Sequence, residues 1–217
     1  AIPNDVHLEV VLACLNAGKH VICEKPVALS SSDLEEMIAC SIKNDRLFTV
    51  HQNRRFDVDY LAMQQLADSG EIGKPLRIES RIHGSRGIPS DWRGEKAHGG
   101  GMILDWGIHL IDQLMLIYKD ETIDTINCTV TNITNKEVDD GFKLWINYED
   151  GKEAFIEVGT YNFIAMPRFY MRAKDGSAFI SDWRENCRVA KCKAWHESDV
   201  IPVQTAAGLT KTMAPRD

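Results

Sequence analysis

Asp105, His109 and Asp112 stand at i, i+4 and i+7, a spacing that puts all three on one face of a helix. The segment around them, Met102 to Ile117, is largely apolar, and polar groups embedded there need partners, because unsatisfied burial is costly. A histidine with a carboxylate one turn away is a workable acid–base unit: the carboxylate orients the ring and stabilises its charged form. The same residues also read as a helix-start aspartate with a satisfied core histidine. A third reading makes Asp105 and His109 two metal ligands, but the spacing offers no third.

Glu24-Lys25-Pro26 follows the short apolar run Val21-Ile22-Cys23. A lysine at the carboxyl end of a parallel strand sits where open α/β sheets bind ligands, and Pro26 keeps it out of helix geometry. Taken alone, the tripeptide equally describes a strand end with a solvated lysine. Gly99-Gly100-Gly101 precedes the long helix and would allow a close backbone approach, or an anion at the helix start, or simply a flexible loop. The spacing is not GxGxxG. Asp91-Trp92-Arg93 pairs an anion-binding side chain with a stacking ring, and Arg54-Arg55 has the same ambiguity between site and surface.

The elements that must carry these residues fall into two parts. The first alternates helix and strand. Asn4 can cap a helix to Ala17 with Val10, Val11, Cys14 and Leu15 inward, and Ser32-x-x-Glu35 reads as the capping box of a helix whose inward residues are Leu34, Met37, Ile38 and Ile42. Val21–Cys23 and Leu47–Val50 are its strand candidates. A helix from about Asp57 to Ser69 buries Val58, Leu61, Ala62 and Leu66. After Pro75 the pattern turns to strands. Leu76/Ile78/Ile82, Ile126/Cys128/Val130, Phe142/Leu144/Ile146/Tyr148 and Ala154/Ile156/Val158 alternate with polar residues, with Asp150-Gly151 and Asp175-Gly176 as turns. Trp145 and Phe155 fall on the opposite face, so the sheet is expected to need a cover on both sides, the second from another copy. From Ile201 to Asp217 no period is evident. The expected architecture is an α/β unit over residues 1–55, the second half of a parallel sheet, followed by an α+β unit over 56–217 with a mainly antiparallel open sheet and an incomplete end.

The net charge of −7 argues against a nucleic-acid partner, and no apolar run is long enough for a membrane helix. Six scattered cysteines without a CxxC pair point to a reducing, cytoplasmic setting. The start, Ala1-Ile2-Pro3-Asn4-Asp5, has neither a signal-peptide pattern nor an initiator methionine, which suggests a longer gene product.

In this order the motifs resemble the glucose–fructose oxidoreductase/inositol dehydrogenase (Gfo/Idh/MocA) family. The matching stretches are Pro3-Asn4, Gly18-Lys19-His20-Val21, Glu24-Lys25-Pro26, Asn53-Arg54-Arg55-Phe56, Gly70-x-x-Gly73-Lys74-Pro75, Trp92-Arg93, and Gly99-Gly100-Gly101-x-x-x-Asp105-x-Gly107-x-His109-x-x-Asp112. The resemblance implies a Rossmann domain with NAD or NADP, and hydride transfer at a hydroxyl of a sugar, inositol or related polyol. It implies Lys25, Asp105 and His109 as catalytic residues. Glu24, Lys25, Pro26, Trp92 and Arg93 would lie against the cofactor, and Asn53, Asp105 and His109 near the substrate. No metal is implied. A cis Lys25-Pro26 bond and a homo-oligomer, dimer or tetramer, are implied as well. The family's glycine fingerprint would precede Ala1 by a βαβ unit, on the order of 60 residues. Two other functions share the resemblance: an NAD-dependent glycosidase working through a 3-keto intermediate, and a non-enzymatic nucleotide- or sugar-sensing regulator. The joint presence of Lys25, Asp105 and His109 speaks against the regulator, which needs no proton transfer.

Overall fold

The structure is a computed structural model and describes residues 2–192 and 200–213. A 3₁₀ turn (Asn4–Val6) leads into α1 (His7–Asn16), then β1 (Val21–Cys23), α2 (Ser31–Asn44) and β2 (Phe48–Val50). β1 and β2 are parallel, with Cys23 opposite Val50, so both carboxyl ends open on the same side. A small core of Val11, Leu15, Cys23 and Met37 holds this unit together. The alternating pattern is thus the parallel α/β unit that the sequence implies.

Details of these helices differ from the sequence reading. Asn4 does not cap α1; its side chain donates to the carbonyl of Gly99, 2.8 Å away. α2 is capped by Ser30, whose Oγ accepts from the backbone of Asp33, and not by a Ser32 box. Val10, Ile38 and Ile42 face outward, as does Ile22 on β1. Apolar spacing alone did not reveal which side of this small sheet has a packing partner.

A 3₁₀ turn (Asn53–Phe56) connects to α3 (Val58–Ser69). Its inward face is Asp59, Tyr60, Met63 and Leu66, while Val58 and Leu61 are exposed. The shift in phase is set by Arg168, whose buried guanidinium forms an ion pair with Asp59 at 2.9 Å and donates to Ser80 Oγ at 2.6 Å. A buried cation of this kind persists only where partners surround it, and burial still draws its pKa down to about 10.

The second unit is one seven-stranded sheet. In chain order its strands are β3 (Pro75–His83), β4 (Ile123–Thr131), β5 (Gly141–Tyr148), β6 (Glu153–Gly159), β7 (Phe169–Ala173), β8 (Gly176–Ile180) and β9 (Arg188–Lys191). The spatial order is β4-β5-β6-β3-β7-β8-β9, with β3 and β6 parallel and the other pairs antiparallel. A hairpin of β10 (Val200–Thr205) and β11 (Gly208–Met213) follows, where the sequence shows no period; residues 214–217 lie outside the described residues. α3 and the later helix α4 (Ile108–Ile117) cover one face of the large sheet, burying Tyr60, Met63, Leu110 and Leu114 against Phe142, Leu144, Ile156 and Met171.

The opposite face is not bare apolar surface. Trp145 and Phe155 stack at 4.5 Å, and the guanidinium groups of Arg77 and Arg81 lie over them at 4.7 and 5.1 Å. Glu79, Glu153 and Glu157 pair with those arginines. Arginine stems and rings therefore supply much of the second cover within the chain itself.

Candidate active site

The long helix begins irregularly. Residues Ile103–Gly107 form a π-turn before α4 starts at Ile108. The extra residue per turn changes which side chains share a face, and such insertions recur at functional positions. Asp105 on the π-turn and His109 on α4 consequently meet different partners.

Lys25 Nζ donates to Asp105 twice, to the backbone carbonyl at 2.7 Å and to Oδ1 at 2.8 Å. Both side chains are less than one fifth exposed. The lysine comes from the end of β1 and the aspartate from the second unit, so the bond spans the joint. The Lys25-Pro26 peptide bond is cis, and His7 Nδ1 lies 2.9 Å from the Pro26 carbonyl. Glu24 pairs with His51, and Asn53 is exposed on its 3₁₀ turn.

His109 is almost fully buried. Its Nδ1 is 2.6 Å from Gln52 Oε1. Asp105, which the sequence suggests as orienter of the ring, is instead engaged by Lys25. Burial is the main cause that pulls the His109 pKa down to about 4, with the charges of Lys25 and Arg54 adding to it and those of Asp105 and Asp112 opposing it. The imidazole is therefore neutral at pH 7, well below the unperturbed value of about 6.5. Asp112 takes no part in this pair; it accepts a bidentate ion pair from Arg55 at 2.6 and 2.7 Å.

Trp92 and Arg93 form a 3₁₀ turn, the guanidinium lying 4.6 Å over the indole. Arg93 Nε is 3.5 Å from Asp105 Oδ1, which gives this carboxylate a second cation. The glycine triplet serves the chain's own packing. A Cβ on Gly100 would come within 2.3 Å of the Arg93 carbonyl, and one on Gly101, at φ +109°, within 2.3 Å of Asp139 Oδ1. The anion at this helix start is Asp139, whose Oδ2 accepts from Ile103 N at 2.9 Å.

Asp105 and Trp106 line a cleft of about 410 Å³ whose other walls include Ser85, Arg86, Thr160 and Trp183. The Trp106 and Trp183 rings lie 5.7 Å apart, and Arg54 sits 4.1 Å over Trp106. His109 is not on this wall, but its ring meets Trp106 edge-on at 6.2 Å. Aromatic walls with a few convergent polar groups are the usual make-up of small-molecule sites. Among the described residues no cluster of three or more His, Cys, Asp or Glu is placed to hold a metal ion, and no helix is long and apolar enough to cross a membrane.

The sequence matches the family model of the Gfo/Idh/MocA C-terminal domain over residues 60–179. It also matches the model described as "Oxidoreductase family, NAD-binding Rossmann fold" over residues 1–52. The chain belongs to the Gfo/Idh/MocA oxidoreductase family. An NAD-binding protein from Listeria innocua of this architecture superposes with a TM-score of 0.92 at 45% identity, covering 100% of this chain and 62% of that one. Similar curated family relatives include scyllo-inositol 2-dehydrogenase (NADP(+)) of Bacillus subtilis, at 29% identity over 81% of this chain and 49% of its own. A second is 1,5-anhydro-D-fructose reductase of Ensifer adhaerens, at 31% identity over 80% and 53%. The chain spans about half the length of the curated relatives it matches.

Three residues that the sequence did not single out adjoin the candidate site in the structure. Gln52 holds His109, and Trp106 and Trp183 wall the cleft. Gln52 had one available signal, its place directly after a parallel strand and before Asn53-Arg54-Arg55. Trp183 had none, since it reaches the cleft from the connection between β8 and β9.

Proposed function

We propose that this chain carries the catalytic groups of an NAD- or NADP-dependent dehydrogenase acting on a hydroxyl of a sugar, an inositol or a related polyol. The observation that carries the reading is the Lys25–Asp105 bond across the joint, one helical turn from a buried, neutral His109 and beside the aromatic cleft. We place the division between the cofactor unit and the substrate unit at residue 55, between the two family matches.

The donor set fits the nicotinamide end of such a cofactor. The carboxyl ends of β1 and β2 open side by side at Glu24-Lys25-Pro26, where parallel sheets take their ligands. Trp92 and Arg93 would complete that wall. The residues here contain no GxGxxG, so the pyrophosphate end is not assigned to them. A nicotinamide bound there would supply the hydride acceptor for the substrate carbon. The chain's own part is proton and charge management. Lys25 holds the reacting oxygen and stabilises negative charge that develops on it. Asp105 positions Lys25 and accepts from a neighbouring hydroxyl. His109, being uncharged, takes the hydroxyl proton. Trp106 and Trp183 would line the substrate cleft, and Asn53 would lie near its substrate end.

The test is an assay of the full-length protein with NAD and with NADP against free sugars, inositols and glycosides, following absorbance of the reduced cofactor. Net reduced cofactor formed from a free polyol supports the reading. Sugar release from a glycoside without net reduction replaces it with the redox glycosidase, and the absence of both activities overturns it. We also read the Trp145/Phe155 face as the surface on which a second copy packs, with the half-buried Trp145 ring at its centre. Light scattering should then give a dimer or tetramer at micromolar concentration, and a monomer there would refute it.

A further inference from the structure

The Gln52 amide has one orientation that satisfies both of its ends. Its Nε2 donates to the Ile108 carbonyl at 3.4 Å, which leaves Oε1 against His109 Nδ1 at 2.6 Å. A flipped amide would set two carbonyl oxygens against each other. Oε1 can only accept, so the ring nitrogen facing it must carry the proton. Nε2 of the neutral imidazole is then left with its lone pair, the form a general base requires.

The segment that carries Gln52 is itself clamped to α4. Gln113, fully buried one turn beyond His109, donates through Nε2 to the Arg54 carbonyl at 2.7 Å, and Arg168 donates to Gln113 Oε1. Arg55 closes the clamp on Asp112. Gln52, Arg54 and Arg55, just beyond β2, therefore tie this segment to one helix of the other unit.

We propose that Gln52 is a positioning residue that holds His109 in its Nδ1–H tautomer, so that the base is competent only while the two units are docked through residues 52–55. The proposal rests on His109 being the proton acceptor. The charged groups that face His109 are Lys25 from the end of β1, Arg54 from the clamp, Asp105 from the π-turn and Asp112 from α4. Gln52 adds no charge to this set, which distinguishes it from a carboxylate partner. A carboxylate would hold the same proton but favour the imidazolium and raise the pKa of the base.

The test uses ¹⁵N-histidine-labelled full-length protein, with the His109 signal assigned by its loss in His109→Ala. The wild type should show Nδ1 protonated and Nε2 bare at neutral pH. Gln52→Leu should shift this signal toward the other tautomer and lower kcat/KM roughly 10²–10³-fold, within the range of acid–base catalysis. Gln52→Glu keeps the acceptor and the shape and gives up only the 3.4 Å donation to the Ile108 carbonyl. It should retain the Nδ1–H signal and move the acid limb of the kcat/KM profile upward by about one pH unit or more. A wild-type signal with Nε2 protonated overturns the proposal. So does a Gln52→Glu profile that coincides with wild type, which remains decisive if Gln52→Leu fails to fold. If the tautomer is as stated but His109→Ala remains active, it is the assignment of the base that falls.

Discussion

His109→Ala is expected to lower turnover by roughly 10²–10⁴-fold, the usual worth of a positioned acid or base. Cofactor affinity should hardly change, because the imidazole lies in the substrate unit and its fixed partner is Gln52. The pH dependence supplies a second readout. With its pKa drawn to about 4 by burial and by the Lys25 and Arg54 charges, the base stays unprotonated across the neutral range. Activity in the oxidative direction should fall only as pH drops toward that value, and this limb should vanish in the variant. The sign for stability follows from the same shift. A depressed folded pKa means that the unfolded chain takes up the proton first. His109 therefore costs the folded state stability as pH falls from 6.5 toward about 4, and His109→Ala should flatten the stability profile in that window. Steady-state kinetics with urea melts across pH would check both. Near-normal turnover of His109→Ala on the true substrate would remove it from the mechanism.

Lys25→Met should impair both turnover and substrate binding. The methionine retains most of the stem's volume but removes the ammonium that donates to Asp105 at 2.8 Å. Loss of one charge-stabilising donor typically costs about 10²–10³ in kcat. KM should rise as well, since Asp105 would turn to its remaining cation, Arg93, at 3.5 Å. The variant also has an effect that a purely structural lysine would lack. Lys25 is one of the charges that hold His109 neutral, so its removal should raise the pKa of the base and move the acid limb of kcat/KM upward. Unchanged kcat, KM and pH profile together would count against any role of Lys25 in the chemistry.

Much of this molecule was legible from residue order. The strand–helix alternation of residues 1–50 marks a parallel unit, because strands that alternate with amphipathic helices have few other ways to pack. The two-residue period of Phe142/Leu144/Ile146 and Ala154/Ile156/Val158 places those side chains on the buried face, where they are found. Those two features depend on local sequence and periodicity, which a linear reading can follow. Lys25, Asp105 and His109 were joined as a set only by the resemblance to the family, since their spacing alone left other readings open.

The partners of those residues were decided only by tertiary structure. Helical spacing pairs Asp105 with His109. The π-turn and the docking of β1 give Asp105 to Lys25 and leave the imidazole to Gln52, 57 positions away in sequence. The phase of α3 follows from the buried Arg168–Asp59 pair, which couples the residue just before β7 to a helix more than a hundred residues away. The glycine triplet accommodates the Arg93 backbone and the Asp139 carboxylate, which its spacing did not foretell. The low pKa of His109 results from burial and from the charges of Lys25 and Arg54, both on segments far from it in sequence. Burial, long-range pairing and the local electric field are properties of the packed chain, and no spacing rule along one segment contains them.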